Sequence, residues 1–239
     1  MILFRAKRSW PDGQGDMVGM IRALIADPEL PNKAREGRTE EIRSCIACDQ
    51  GCIGRVFKGK PMTCLQNATV GLEKKNGLIE PSSIKKKVLI VGGGPGGMET
   101  ARVARLRGHE VILYEKEKIL GGQVNIAVKA PGRAEFGGIT RYLVKQMELL
   151  GVKVNLGVTA TSELVAKENP DAVVIATGSK PYKPPIPGAD QSNVVSVRDV
   201  FLRTVSVGEK VAVIDSGEAH WPCCSTAEYL AERGRQVER

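Results

Sequence analysis

The chain has 239 residues, of which 42% are hydrophobic, and it carries a formal net charge of +8. This length is enough for one or two domains with hydrophobic cores of their own. No run of about eighteen apolar residues occurs, so no segment is predicted to span a membrane. Aromatic residues make up only 4% of the sequence, and its basic residues are dispersed. That composition predicts no nucleic-acid partner, because such surfaces combine clustered positive charge with aromatic rings.

Two helical segments are predicted ahead of the first informative motif. Residues 1–15 show no clear pattern, whereas apolar residues recur at helical spacing over residues 16–26. Pro28 should end that helix, because proline disfavours helical geometry in the residue before it. A charged stretch over residues 33–43 is also predicted to be helical.

Four cysteines follow at positions that are typical of a metal centre: Cys45, Cys48, Cys52 and Cys64. Three of them fall within eight residues, and eleven residues separate the third from the fourth. Iron–sulfur clusters are held by four such thiolates, whereas structural zinc usually takes two separated Cys-x-x-Cys pairs. Residues 1–20 lack the pattern of a signal peptide, which predicts a reducing, cytoplasmic location that disfavours disulfides. The spacing therefore favours an iron–sulfur cluster, with zinc and disulfides as the alternatives.

The second informative stretch covers residues 87–115. A continuous apolar run at 88–91 predicts a buried parallel strand, and a glycine-rich turn follows at 92–97. Residues 98–107 are predicted to be helical, and residues 111–114 to form a second strand. Together these elements predict the opening βαβ unit of a dinucleotide-binding domain.

The glycines of this turn are spaced as a dinucleotide requires. Gly92 permits the tight turn, Gly94 lets the backbone approach a pyrophosphate, and Gly97 lets the helix pack closely on the strand. The start of the helix offers free N–H groups to the phosphate, and Glu115 is placed to accept hydrogen bonds from a ribose. The predicted binding residues here are Gly92, Gly94, Pro95, Gly97, Glu115 and Lys116.

The rest of the chain predicts further strands of the same kind, at residues 151–155, 172–176 and 210–215. The strand at 172–176 is expected to be buried, and the last strand to open a second βαβ unit with residues 227–235 as its helix. The turn of that unit lacks the glycine triplet and carries Asp215 and Glu218 where a phosphate would sit. It is therefore expected to bind no dinucleotide, or to bind one differently. Three further residues are interpreted as structural: His220, Cys223 and Cys224.

From residue 16 onwards, these motifs resemble the C-terminal part of the iron–sulfur flavoproteins that include trimethylamine dehydrogenase, histamine dehydrogenase and 2,4-dienoyl-CoA reductase. Members of that family begin with an FMN-containing TIM barrel, which a 4Fe-4S segment and a glutathione-reductase-like domain follow. The resemblance implies that the four cysteines hold a 4Fe-4S cluster and that the glycine turn holds FAD or ADP. It also implies three further contacts with bound flavins. Arg22 would hold the FMN phosphate, and the flavin of the dinucleotide domain would touch Gly121, Gly122, Gln123, Ala176, Thr177 and Gly178.

The resemblance implies an α/β fold in which a Rossmann-type domain follows a cysteine-rich segment and the last helix of a TIM barrel. Residues 1–40 would be the end of the barrel, and residues 41–84 the cluster segment with its connector. Residues 85–208 would be an incomplete FAD or ADP domain, and residues 209–239 the start of a second nucleotide-binding subdomain. FMN would lie only in the missing barrel, and no catalytic residue would lie in this chain.

The implied function is the electron-transfer portion of an FMN-dependent oxidoreductase. The altered turn after Asp215 favours the amine dehydrogenase or demethylase branch, which passes electrons to a carrier protein. Two alternatives stay open: a fragment of an NADPH-dependent 2,4-dienoyl-CoA-type reductase, and a non-catalytic flavin-binding remnant or partner-docking subunit. The implied partners are an electron carrier or NAD(P)H and a TIM-barrel portion of the same or another chain, with a homo-oligomeric parent. Without the barrel, the first helix is expected to expose an apolar patch that favours self-association.

Overall fold

The computed structural model describes residues 16–215 and 221–238. The predictions that concern residues 1–15, Glu218 and His220 therefore lie outside the described residues. Within the described ranges, no helix combines the length and the apolar character that crossing a membrane requires.

Short helices make up the N-terminal part of the chain. They are α1 (Ile21–Ala26), α2 (Leu30–Arg35), a 3-10 turn (Thr39–Glu41), α3 (Ile53–Val56) and α4 (Glu73–Asn76). The helix predicted over residues 16–26 begins only at Ile21, and no side chain caps the free N–H groups at its start. It ends before Pro28, as predicted. One continuous helix over residues 33–43 is a wrong prediction, because Gly37 takes a positive φ of 76° and separates α2 from the 3-10 turn.

The centre of the molecule is a parallel sheet with the strand order β3-β2-β1-β4. Its strands are β1 (Lys87–Val91), β2 (Glu110–Glu115), β3 (Lys153–Leu156) and β4 (Ala172–Ile175). Val88 of β1 lies opposite Val111 of β2 on one side and Ala172 of β4 on the other. The βαβ unit predicted over residues 87–115 is thereby confirmed, with its strands one or two residues longer than expected.

Helices cover both faces of this sheet. They are α5 (Pro95–Leu106), α6 (Val124–Ala127), a 3-10 turn (Ala134–Phe136), α7 (Gly137–Leu149) and α8 (Ser162–Glu168). On one face, Met98 of α5 and Met147 of α7 join the core around Ile90. On the other face, Leu164 of α8 packs against the cluster that contains Leu89. Helices on both sides of a parallel sheet define the α/β, Rossmann-type class that the sequence predicts.

The expectation that residues 172–176 form a buried strand is wrong, because two of these five residues are exposed and the other three are only half-buried. Val173 is 41% exposed and Ile175 is 69% exposed, whereas Val174 and Ala176 pack against the core. The physical reason is position, because β4 is the edge strand and pairs only with β1 among the described strands. Helix α8 packs on the central strands, and Val173 and Ile175 of β4 do not belong to the cluster that it covers.

A second, smaller βαβ unit follows α9 (Val197–Leu202). Its elements are β5 (Lys210–Ala212), α10 (Trp221–Ala231) and β6 (Gln236–Glu238), and the two strands pair in parallel. The predicted strand is therefore present but shorter. The helix predicted over residues 227–235 has the wrong bounds, because Pro222 suits a first turn and Gly234, at φ 75°, follows the last turn. Cys223 is buried in the core of this unit and Cys224 is half-buried, in keeping with their structural interpretation.

Candidate functional site

The four predicted cysteine ligands line one cavity, which we call the cysteine cavity. None of them is in a disulfide, and all four are half-buried. The fold thus places the remote Cys64 beside the three that are close in sequence. The remaining lining of the cysteine cavity comes from Arg22, Ile46, Asp49, Gly51, Leu65 and Gln66.

The backbone of this segment points amide groups at the sulfur atoms. Ala47 and Asp49 take left-handed φ angles of 51° and 55°, which turn the chain sharply within the motif. The Ala47 amide donates to Cys45 Sγ at 3.4 Å, and the Gln66 amide donates to Cys64 Sγ at 3.4 Å. Hydrogen bonds of this kind stabilise a thiolate and contribute to the potential of a cluster that the thiolates hold.

A close backbone contact brings the remote cysteine to the other three. The Thr63 amide donates to the Gly51 carbonyl at 2.8 Å, and the Thr63 hydroxyl donates to the same oxygen at 3.2 Å. A Cβ atom on Gly51 would lie 2.9 Å from the Thr63 carbonyl oxygen, so the two segments approach this closely only because position 51 is glycine. Gln66 adds a second link by donating from Nε2 to the Ser44 carbonyl at 2.9 Å.

The electrostatics of the cysteine cavity favour a positive centre. Burial raises the pKa of the Cys48 thiol and the neighbouring cysteines raise it further, while the Gln50 amide lowers it. Four adjacent thiolates repel one another, so they are stable together only around bound cations. Among residues 16–215 and 221–238, no three His, Cys, Asp or Glu side chains are arranged to hold a single metal ion. A four-iron cluster needs a wider arrangement because each thiolate binds a different iron, and the donor set fits that group in number and kind.

Arg22 lies at the cysteine cavity. Its Nη1 atom donates to Asp49 Oδ1 at 2.5 Å, and this carboxylate raises the pKa of the guanidinium group, with smaller contributions from Cys45 and Cys52. The FMN-phosphate contact that the resemblance implies for Arg22 stays a prediction. The structure places Arg22 beside the segment of residues 41–84, which we call the cysteine segment.

The predicted dinucleotide turn has the close contacts that its glycines permit. Gly92 takes a φ of 113°, and a Cβ atom there would clash with the Ala176 carbonyl oxygen. A Cβ atom on Gly97 would clash with the Gly92 carbonyl oxygen, so both positions are glycine for packing reasons. Gly94 is different, because its Cβ atom would meet no protein atom within 4 Å. Open space at that position is what the approach of a pyrophosphate requires.

Glu115 is held at the end of β2 by two backbone amides. Gly93 N donates to its Oε2 atom at 2.6 Å, and Glu117 N donates to its Oε1 atom at 2.8 Å. Each carboxylate oxygen keeps a second lone pair that a ribose hydroxyl could use. Helix α5 begins beside it, and no side chain caps its first N–H groups. Lys116 lies at the surface with its Nζ atom 4.0 Å from Glu117 Oε1.

The predicted flavin-contacting loops converge on the same edge of the sheet. Gly121 N donates to the Gly93 carbonyl at 2.9 Å, and a Cβ atom on Gly122 would lie 3.1 Å from the Cα atom of Gly94. Gln123 reaches the turn after β4 by donating from Nε2 to the Ser179 carbonyl at 2.9 Å.

The turn after β4 completes this edge. Ala176 N donates to the Val91 carbonyl at 2.8 Å, and Gly178 takes a φ of 79°. The Thr177 amide lies 3.2 Å from the position of a Cβ atom on Gly92. The predicted residues after β1 and β4 therefore meet at the carboxyl ends of the strands, where α/β sheets bind ligands.

Sequence reasoning missed the contact that joins the cysteine segment to the dinucleotide domain. The buried Arg43 donates from Nη2 to the Tyr142 hydroxyl of α7 at 2.9 Å, and its guanidinium lies 4.7 Å from the ring centre. Lys145 of α7 pairs with Glu40 at 3.4 Å. No sequence signal could have found the first pair, because 99 positions separate its members.

The dinucleotide domain also matches a known protein family. The pyridine nucleotide-disulphide oxidoreductase family matches residues 86–237. The chain belongs to that family, whose domain binds FAD or NAD(P).

Individual relatives extend the match across both sites. NADH oxidase of Thermoanaerobacter brockii is 46% identical over 97% of this chain and 36% of its own length. N,N-dimethylglycine/sarcosine dehydrogenase of Chromohalobacter salexigens is 42% identical over 98% of this chain and 35% of its own length. The structure of a 2-naphthoyl-CoA reductase complex superimposes with a TM-score of 0.89 at 43% identity, over 97% of this chain and 35% of that one. The predicted membership of the iron–sulfur flavoproteins is confirmed, and the chain spans about a third of the length of these relatives.

Proposed function

We propose that this chain is the electron-transfer portion of an FMN-dependent oxidoreductase. Cys45, Cys48, Cys52 and Cys64 hold a 4Fe-4S cluster, and the turn at residues 92–97 holds FAD or ADP. The observation that carries the proposal is the meeting of all four cysteines at one cavity. The cysteine cavity is joined through Arg43 and Tyr142 to a domain of a dinucleotide-binding family.

The chain's own residues prepare the cysteine cavity for single-electron chemistry, which a 4Fe-4S cluster supplies when bound. Backbone amides at Ala47 and Gln66 donate to two of the sulfur atoms, and hydrogen bonds to the ligating sulfurs contribute to the potential of a cluster that they hold. The contact between Gly51 and Thr63 keeps the fourth ligand in place. Half-burial of the cysteines limits contact with water while leaving a route for electrons to a partner.

The residues of the dinucleotide site would bind the ADP portion, which is common to FAD and ADP. Gly94 gives room for a pyrophosphate, and the start of α5 offers N–H groups to it. Glu115, which the Gly93 amide holds, would accept hydrogen bonds from a ribose. FAD differs from ADP by its riboflavin portion, whose isoalloxazine ring Gln123 and Gly178 would border. FMN belongs to a TIM-barrel portion of the same or a partner chain, and the greater length of the relatives supports such a portion.

The amine dehydrogenase or demethylase branch is the first candidate for the parent enzyme. Its support is the altered turn after Asp215 together with the N,N-dimethylglycine/sarcosine dehydrogenase relative. Electrons would then leave through the cluster to a carrier protein. An NADPH-dependent reductase of enoyl-type substrates is the second candidate, which the 2-naphthoyl-CoA reductase match supports.

Anaerobic reconstitution with iron and sulfide tests the cluster. We expect about four iron and about four sulfide per chain, with an EPR signal after reduction. Cys45→Ser should lose most of the iron, while Cys224→Ser, a change outside the cysteine cavity, should keep it. Zinc bound without sulfide would contradict the proposal.

Rapid mixing of the full-length parent distinguishes the two branches. An amine dehydrogenase reduces its FMN on mixing with a secondary or tertiary amine and is unresponsive to NADPH. Reduction of bound flavin by NADPH would instead establish the reductase branch. If no amine, NADPH or NADH reduces the parent, that result favours the non-catalytic alternative.

A further inference from the structure

An ion pair at the cysteine cavity supplies no ligand atom to the cluster proposed above. Arg22 Nη1 lies 2.5 Å from Asp49 Oδ1, and both residues line the cavity together with the four cysteines. The two side chains are 45% and 48% exposed, so each keeps its charge at the rim rather than in the core.

The fold holds both partners in position. Arg22 is the second residue of α1, whereas Asp49 lies 27 positions later, inside the Cys-x-x-Cys-x-x-x-Cys motif. The left-handed backbone at Asp49 is fixed by a hydrogen bond of 2.7 Å from the Gly54 amide to its carbonyl oxygen. A carboxylate on a fixed backbone and a guanidinium from a separate helix thus line the same cavity as the four cysteines.

We propose that the charges of Arg22 and Asp49 shift the reduction potential of the cluster in opposite directions, upwards for Arg22 and downwards for Asp49. The proposal rests on the proposed function, because it needs a cluster on the four cysteines. Reduction adds one electron from the donor to the cluster and forms or breaks no bond. A nearby positive charge stabilises the added negative charge and raises the potential, whereas a nearby carboxylate lowers it.

The opposite signs separate this electrostatic role from a structural one. Neutralising Arg22 leaves the Asp49 carboxylate unopposed beside the cluster, and neutralising Asp49 leaves the guanidinium unopposed. Loss of a merely structural ion pair would disturb the loop in the same way from either side. Because both charges are half-exposed, dissolved salt should also reduce the two shifts.

EPR-monitored redox titration of the reconstituted full chain tests the proposal. We expect a lower potential for Arg22→Gln, a higher one for Asp49→Asn, and a value near the unaltered chain for Arg22→Lys and for the double variant Arg22→Gln/Asp49→Asn. Arg198→Gln is the matched control, since it removes one exposed arginine outside the cysteine cavity. It should leave the potential unchanged.

Shifts of the same sign in Arg22→Gln and Asp49→Asn, or no shift in either, would overturn the proposal. If Arg22→Gln does not load iron, Asp49→Asn decides alone, and an unchanged or lower potential refutes the assignment. Iron and sulfide content is measured in every sample. An unaltered chain without a cluster would refute the proposed function itself, which is a distinct result from a loaded cluster whose potential ignores both charges.

Discussion

Gly51 occupies the point where the remote cysteine meets the other three. We expect Gly51→Ala to lower the iron content of the reconstituted chain several-fold, because its Cβ atom would lie 2.9 Å from the Thr63 carbonyl oxygen. Backbone, unlike the end of a flexible side chain, has little room to move away, and Cys64 would shift with it. Iron analysis after anaerobic reconstitution measures the effect. Gly19→Ala is the control, since its Cβ atom would meet nothing within 4 Å. Equal loading of the two variants would refute the role of this contact.

The dinucleotide turn separates glycines that serve folding from one that serves a ligand. Gly97→Ala should cost about 1–3 kcal/mol of unfolding free energy, because its Cβ atom would clash with the Gly92 carbonyl oxygen. Gly94→Ala should leave the melting temperature unchanged and weaken ADP binding about tenfold or more, which corresponds to about 1.4 kcal/mol. Thermal melts and calorimetric titration with ADP measure the two quantities. Unaltered ADP affinity in Gly94→Ala would mean that the pyrophosphate lies elsewhere.

At the scale of elements, a buried hydrogen bond helps to hold the cysteine segment on α7. Tyr142→Phe removes the hydroxyl that accepts the hydrogen bond from Arg43 and leaves a buried charged donor unsatisfied. We expect a loss of about 1–3 kcal/mol in unfolding free energy. Urea denaturation measures it, with Tyr182→Phe as the control, because Tyr182 is 82% exposed. Equal stability of the two variants would show that the contact does not hold the segment.

The stability that Glu168 contributes by joining α8 to β1 and β2 should depend on pH. The Tyr114 hydroxyl donates to Glu168 Oε1 at 2.7 Å and Lys87 Nζ donates to Oε2 at 2.9 Å, and both bonds lower the pKa of Glu168. Its folded pKa is therefore below the ordinary value of about 4.3. The contribution is fully present above that value and is lost as pH falls through the folded pKa. The urea midpoint should fall as the pH drops below about 4.3, and less steeply in Glu168→Gln than in Glu80→Gln, which alters an exposed glutamate. Identical slopes would contradict the assignment.

Element types were predictable from the sequence where a periodic or continuous apolar pattern was long enough. The run at residues 88–91 and its glycine turn identified the βαβ unit, because a buried parallel strand leaves no polar alternation. Bounds failed where a local feature outweighed the pattern, as Gly37 and Gly234 did for two helices. The exposure of Ile175 could not be predicted, because an apolar strand looks the same at the centre and at the edge of a sheet.

At the scale of the whole molecule, part of the candidate site was predictable from the sequence and part was not. Ligand types and their spacing are written in the sequence, so the four cysteines and the glycines at 92–97 were identifiable there. Contacts across long separations are set by packing and are not. The Arg43–Tyr142 pair and the Arg22–Asp49 pair belong to that class, because their members are 99 and 27 positions apart in the sequence.

The surface ahead of the cysteine segment exposes apolar side chains that determine how the isolated chain behaves. Met17 is 92% exposed and Ile21 is 78% exposed, and exposed apolar side chains favour association in water. We expect the mass from light scattering to rise above that of one chain as concentration increases. Met17→Glu/Ile21→Glu should lower it towards one chain. Leu78→Glu, which alters a side chain that is 85% exposed in another part of the sequence, should have little effect. A chain that stays monomeric at every concentration would show that these side chains do not drive association.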